Sequence, residues 1–463
     1  MQTLVLSSQI LIFFQKASEK SGAFVLKFFD GGIVPPPGIP PDFHRSLLKI
    51  LRKGEKNLIY GINYLKKKLA QKQTRVNIRY NYYDMKNSVQ DVRGIIPDQF
   101  KWLSCSLGWC AKAVDSLADR IFFDEFLNDE FQLNEIFKLN NADILCSSSV
   151  LSALIASCCF FYIGKDADSY PAMQVIDGGN ATGIIDTVTN LLTEGYAVLE
   201  RDENQNPIRE AYFTPYFTEY YEKGTLVEMF RHSAPYALLV PVIFRPDAKR
   251  PFGHSRISRS CMDITQAVLR TLIRSEVSSE FYSMPQKYIL GLSEEAEFNN
   301  RFATMSSFLD FRKDEDNNHP VVGQFQQASM TPYSEHMRML ASVFAGETGL
   351  TLDDLGFVTA NPSSEEAIKA SHENLRLTAR QAQRIFSIGF LNAGYLAACV
   401  RDSHAYDRKA FADTKASWLP IFEPDISALG AVGDAVFKMN QASPDFIGKQ
   451  NLKRLTGLES DAE

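Results

Sequence analysis

GHSRISRSCMDITQAVLRTLIRSEVSSEFYS (253–283) and MLASVFAGETGLTLDDLGFVTANPSSEEAIKASHENL (339–375) decide the fold of this 463-residue chain. Together with their surroundings they read as helix, small insert, helix, tight loop and a very long helix, ending near Arg401. Ser255 can cap the first helix, Ile264, Val268, Leu272, Val277 and Phe281 mark its stripe, and Pro285 ends it. About 28 residues at ~1.5 Å rise give a rod of roughly 42 Å. Its other faces carry Arg256, Arg259, Arg270, Arg274, Glu276 and Glu280. One stripe on so long a rod suits packing against neighbouring rods better than enclosure in a globule.

The insert, Met284–Thr331, predicts a short helix near Glu294–Ser307 and two strands, Phe308–Arg312 and Val321–Phe325, joined by KDEDNNHP (313–320). Asp314, Asp316 and Asn318 alternate as in a calcium loop. However, His319 stands where such a loop needs glycine and Phe325 where it needs a bidentate glutamate, so the run reads as a hairpin turn. Thr331-Pro332 opens the second helix as N-cap and N1, with Met337, Leu340, Ala341 and Phe344 inward and Gly349 as its stop. After the loop Leu350–Pro362, Ser363 and Glu366 form a capping box. That box starts about 37 helical residues, far beyond the usual ~8–20. Gly389 and Gly394 are its candidate bend points.

Upstream, GGIVPPPGIPP (31–41) reads as a linker, because proline continues neither helix nor central strand. Asp42 starts a helix to about Lys72, whose lysines Lys49, Lys53, Lys56, Lys66, Lys67 and Lys68 read as a solvated face rather than a nucleic-acid patch. IRYNYYDM (78–85) reads as extended, about Asp98–Arg120 as helix, and Ala142–Tyr162 as buried helix. From Met173 to Arg245 the period shortens. Turns at Asp177–Asn180, Asn204–Pro207 and Lys223-Gly224 separate β-branched and aromatic runs, which predicts β-hairpins and an α+β fold.

A chain of this length exceeds the ~250–300 residues at which one core stops growing. Its 45% hydrophobic and 22% charged content is that of ordinary folded protein. The net charge of −6 disfavours a protein that grips nucleic acid by neutralising phosphates. The seven cysteines, including adjacent Cys158 and Cys159, show no disulfide or C-x-x-C spacing and read as buried and reduced. The apolar amino-terminal run MQTLVLSSQILIFF lacks a basic leader and is too short for a span, so no membrane partner is expected. The seven histidines fall in no metal-ligand spacing, and no G-x-S-x-G or Walker loop occurs, so no catalytic residue, metal or cofactor is assigned.

The stretch 253–290, then VVGQFQQAS (321–329) and the 339–375 block, resembles the portal proteins of tailed double-stranded DNA bacteriophages. YNYYDM and AVDSLADRIFFDEF upstream are similar to that family's amino-terminal region, and the resemblance covers about residues 75–445. It implies a non-enzymatic subunit of a ring, usually of twelve, at a capsid vertex of the virion, with the host cytoplasm as the site of assembly. The ring would conduct double-stranded DNA and meet the terminase large subunit, the major capsid or scaffolding protein and a head-completion adaptor.

The implied parts are an extension (1–41), wing (42–253), stem helices (254–283 and 333–348), clip (284–332), tunnel loop (349–362), long kinked helix (363–401) and crown segment (402–463). Within the loop, Phe357, Val358, Thr359 and Asn361 are the implied DNA-channel residues. Another ring- or shell-forming virion protein, or an enzyme whose residues converge only in space, are the alternatives.

Overall fold

The computed structural model describes residues 60–89, 103–165, 170–283, 287–290, 321–324, 329–357, 370–421, 426–444, 446–449 and 451–452. Among the described residues helix α1 (Ile62–Tyr83) comes first, followed by α2 (Trp109–Ala118), strand β1 (Phe123–Leu127), α3 (Leu133–Leu139) and α4 (Ala142–Ala156). The β region follows with β2 (Cys158–Lys165), β3 (Pro171–Asp177), β4 (Ala181–Ile185), β5 (Leu192–Arg201), β6 (Pro207–Thr214), β7 (Phe217–Glu222), β8 (Thr225–Arg231) and β9 (Leu239–Ile243). Then come α5 (Arg259–Ser283), β10 (Lys287–Leu290), β11 (Val321–Gln324), α6 (Thr331–Thr348), α7 (Glu373–Arg401), β12 (Lys415–Trp418) and α8 (Ile426–Ala442). The fold is mixed α and β, as the changing period implies.

Four sheets form. β4 to β8 make a five-stranded antiparallel meander, β3-β2-β9 a three-stranded sheet, and β1-β12 and β10-β11 two ribbons. Two of the meander's turns, at Asn204–Pro207 and Lys223-Gly224, are where the sequence places them. Lys223 and Gly224 take φ of 46° and 82°, the left-handed pair that a two-residue hairpin needs.

Several sequence expectations are corrected. IRYNYY closes α1 as helix, since Leu65, Leu69, Val76 and Tyr82 bury along one face. Tyr82 Oη accepts from Gln266 Nε2 at 2.9 Å, and Tyr83 Oη donates to Asp115 at 2.9 Å. Tertiary partners, not local β preference, hold those tyrosines. The helix expected from Asp98 starts only at Trp109 within the described residues.

The buried run from Ala142 is not one helix. It breaks at Ser157, with φ of 84°, and continues as β2, the centre of its sheet. A strand buried on both faces has no alternation to betray it. Ser258, not Ser255, caps α5, its Oγ accepting from Cys261 N at 3.1 Å. Thr331 lies inside α6, after Met330. The partner of the Val321 strand is Lys287–Leu290. The expected helix 294–307, strand 308–312, KDEDNNHP turn and Ser363–Glu366 box lie outside the described residues.

Lys67 is exposed as expected, but Lys66 and Lys68 depart from the solvated-face expectation. Lys66 Nζ donates to buried Glu210 at 2.7 Å, and Lys68 Nζ to Gly183 O at 2.7 Å. The Lys72 ammonium sits 5.1 Å from the Phe160 ring centroid. Burial first, then neighbouring Lys72, holds Lys68 below the usual lysine range. Glu194 does the converse from β5. Its carboxylate accepts from Tyr60 N and Gly61 N at 2.8 and 2.9 Å, anchoring the start of α1 where no local side chain caps it.

The main core is strung along α7, whose residues from Asn392 to Val400 are all buried. Gly389 and Gly394 lie where α7 meets its nearest neighbours. A Cβ on Gly389 would come 3.1 Å from Pro241 O in β9, and one on Gly394 2.8 Å from Leu133 Cδ1 in α3. The seven cysteines are free, and all but Cys105 are buried. No single described helix is long and apolar enough to cross a membrane.

His232, just after β8, is 7% exposed, and neither ring nitrogen has a hydrogen-bond partner. Burial pushes its pKa down to about 4. The depressed folded value means that this contribution to stability is complete above the unfolded pKa of ~6.5 and is lost as pH falls through about 4. Denaturant titrations at pH 7 and pH 5 should therefore show an acid loss that His232→Phe reduces by about 1–2 kcal/mol.

Candidate functional site

Helices α5 and α6 lie antiparallel. Tyr333, in the first turn of α6, meets Ser278 near the end of α5, with the two hydroxyls 2.8 Å apart. At the other end of the pair, buried Arg256 precedes α5 and reaches the last turn of α6. Its Nε donates to Ala113 O in α2 at 3.2 Å, its Nη2 to Thr348 O in α6, and its backbone N–H to Leu154 O in α4 at 2.8 Å. One residue thus joins three helices at the point where α5 departs. The sequence reading put Arg256 on an outer face, but it is 8% exposed.

Burial lowers the Arg256 pKa to about 10, so the guanidinium stays protonated at neutral pH. Thr348 O belongs to a helix C-terminus, where carbonyls lack intrahelical donors and a cation is favoured.

Only the inner part of the pair is packed into the body. Val268, Leu269 and Ile273 of α5 and Ala341, Phe344 and Ala345 of α6 are buried. Between Thr331 and Leu340 no residue is buried. Met339 and Val343 are 52% and 50% exposed, and Leu290 and Val321 on the β10-β11 ribbon are 61% and 62% exposed.

The loop after α6 begins at Gly349, φ 69°, whose N–H returns to Ala345 O at 2.7 Å. Asp354 accepts from Thr351 N and Thr351 Oγ1, both at 2.9 Å, and forms a small closed turn. His372, just before α7, brings Nδ1 to 3.8 Å from Asp354. Leu350 and Leu355 are buried beneath the turn.

Of the four implied channel residues, Phe357 is described. Its ring is half-buried, 6.5 Å from that of Trp109, which in turn lies 5.4 Å from Phe344. Val358, Thr359 and Asn361 lie outside the described residues. The Trp109–Phe344–Phe357 contact joins α2, α6 and the loop. Neither it nor Arg256 is signalled by local spacing, because the partners lie about 90 to 250 residues apart in the chain.

The chemistry here is that of support. Among the described residues no three His, Cys, Asp or Glu side chains gather as a metal site. A second surface is built beside α7. Arg376, Arg380 and Arg384 recur every fourth residue and line a groove of about 780 Å³ against β12, together with Lys415.

No protein-family model matches the chain. It is 25% identical over 322 residues to the portal protein of Mycobacterium phage L5, covering 64% of this chain and 65% of that one. The match thus spans just under two thirds of that relative's length. It is 24% identical over 341 residues to the portal protein of Mycobacterium phage D29, covering 67% and 68%. Both relatives carry the name of the family that the residues resemble.

Among solved structures, a chain of the virion of the native gene transfer agent particle aligns with TM-score 0.45 and 10% identity, covering 90% of this chain and 99% of that one. A chain of the neck of that particle, computed with C12 symmetry, aligns with TM-score 0.43 and 10% identity, covering 76% and 90%.

Arg256→Ala should lower stability by about 3 kcal/mol in chemical denaturation, since it leaves the Ala113 and Thr348 carbonyls without their cationic donor. Arg256→Lys should fall between, because one ammonium on a flexible stem does not reproduce the fork.

Proposed function

We propose that this chain is the subunit of a phage portal ring whose channel conducts double-stranded DNA during packaging and ejection. The observation that carries the reading is the α5–α6 pair. It is anchored at one end by Arg256, and from Thr331 to Leu340 at the other end of α6 no residue is buried. Exposed apolar side chains on α6 and on the β10-β11 ribbon call for neighbours. Copies of the same rod set side by side would cover them and form a tube wall. Similarity to two proteins named as portal proteins supports the same reading.

In this proposal residues 42–253 form the wing, 254–283 and 333–348 the stem, and 284–332 the clip that meets the terminase and later the adaptor. Residues 349–362 form the tunnel loop, and 363–463 the long helix and crown. The subunit is not an enzyme; the motor that hydrolyses nucleotide is a separate protein.

A channel must let a polyanion slide without holding it at any register, and each strong phosphate contact would add salt-dependent affinity. Residues 349–362 hold Asp353 and Asp354 and no lysine or arginine. Phe357 on Trp109 fixes one end of the loop, leaving Thr359 and Asn361 to make brief polar contacts with DNA.

Negative-stain images of the purified protein should show closed rings. Monomers or dimers alone, across a range of salt and concentration, would overturn the reading. Robust nucleotide hydrolysis by the isolated protein would refute its non-enzymatic part. Replacing Thr359 and Asn361 with lysine should leave rings intact and slow DNA packaging in a reconstituted assay. Packaging at the unaltered rate would remove both residues from the channel.

A further inference from the structure

We infer that the subunits join head to tail through two oppositely charged faces on either side of the β1-β12 ribbon, so the partner at each face is a second copy of this chain. The inference rests on the ring reading above and assigns it an interface.

One face is the α7–β12 groove. Arg376 is matched by Glu373 at 2.6 Å, but no ion pair holds Arg380, Arg384 or Lys415 among the described residues. Leu377, Ile388 and Leu419, at 51%, 42% and 45% exposure, border these cations. At 100° per residue, Leu377 and Ile388 fall beside Arg384 on the helical wheel. Charge and apolar surface therefore form one strip.

The other face lies across the ribbon, where β1 meets α3 and α4. Asp124 and Asp143 line a hollow of about 490 Å³, together with Glu125 and Lys138. Leu139 and Ile144 are 63% and 73% exposed, and Ile144 lines the hollow. The two faces therefore share one composition, exposed branched aliphatics among charges, with the sign reversed. The ribbon between them is tied across its own strands and to α7. Ser417 Oγ donates to Asp124 at 3.2 Å, and Trp418 Nε1 to Ser387 Oγ on α7 at 2.8 Å.

Charge decides how copies meet. A two-fold contact through either face would set like charges against each other, which costs free energy. Basic face against acidic face matches, and where that contact is heterologous it leaves one free face of each kind on every dimer. It therefore continues until a ring closes or a filament grows. Apolar side chains at the centre with charges around them match the usual arrangement of a specific interface.

The test compares four full-length proteins by sedimentation and negative stain: wild type, Arg380→Glu with Arg384→Glu, Asp124→Lys with Asp143→Lys, and all four changes together. Circular dichroism checks folding. Each charge-reversed pair should lower the ring fraction about tenfold at a given concentration, and the fourfold variant should restore most of it. Should a reversed pair fail to fold, Arg380→Ala with Arg384→Ala replaces it, and its rings should dissociate at lower salt than those of the wild type.

Wild-type rings with unaffected rings in both reversed pairs would overturn the interface and leave the portal reading standing. No rings from any of the four would sink the portal reading itself. A short DNA duplex is the control probe. If it binds the wild type and not the Arg380→Glu, Arg384→Glu variant while rings are unchanged, the groove is a DNA site and the inference falls.

Discussion

A buried cation without a buried anion organises this molecule. Among the described residues Arg256 has no carboxylate partner; main-chain carbonyls of α2 and α6 accept from its Nε and Nη2. Carbonyls at a helix end are already short of partners, so the desolvated guanidinium and the orphan acceptors satisfy one another. The place matters as much as the chemistry. Arg256 stands between β9 and α5, where the chain leaves the sheet region and enters the rod. Fixing it there fixes the direction in which α5 leaves and the point to which α6 returns.

The remaining long-range ties follow the same economy of one side chain spanning two distant elements. Glu194 anchors the start of α1 from β5, and Lys66 answers Glu210 from the helix. Tyr196 donates to that same glutamate. On α7, Gly389 and Gly394 remove side chains where β9 and α3 press closest, so the long helix can run through the middle of the core. The result is a body well tied internally that carries a helix pair half outside it. That contrast, more than any single residue, is what makes an assembly the natural completion of the chain.

Much of this was legible in sequence. The two rods, Gly349 as a stop, the turns at 204–207 and Lys223-Gly224 and the described part of the long helix stood where periodicity and turn chemistry put them. The misreadings share one cause. IRYNYY carries β-prone tyrosines, yet contacts with Gln266 and Asp115 hold it in a helix. The run through Cys158–Ile163 is apolar on both faces, and only Ser157 at φ 84° marks where helix becomes strand. Lys66 and Lys68 looked solvated because the sheet that receives them lies more than a hundred residues downstream. The same applies to the candidate site. Its loop was found by its position between two helices, whereas the anchoring of Phe357 on Trp109 required the fold.

By itself the sequence determined the order of elements, the single-striped rods, the acidic balance and the absence of basic residues from the loop. Those are properties of neighbours along the chain, set by side-chain period, capping and composition. Only the tertiary structure decided that Arg256 is a buried pin, that α1's lysines face a sheet, and that a basic groove and an acidic hollow flank one ribbon. Each of these depends on which distant surfaces meet, and a local pattern carries the chemistry of a residue without the identity of its partner.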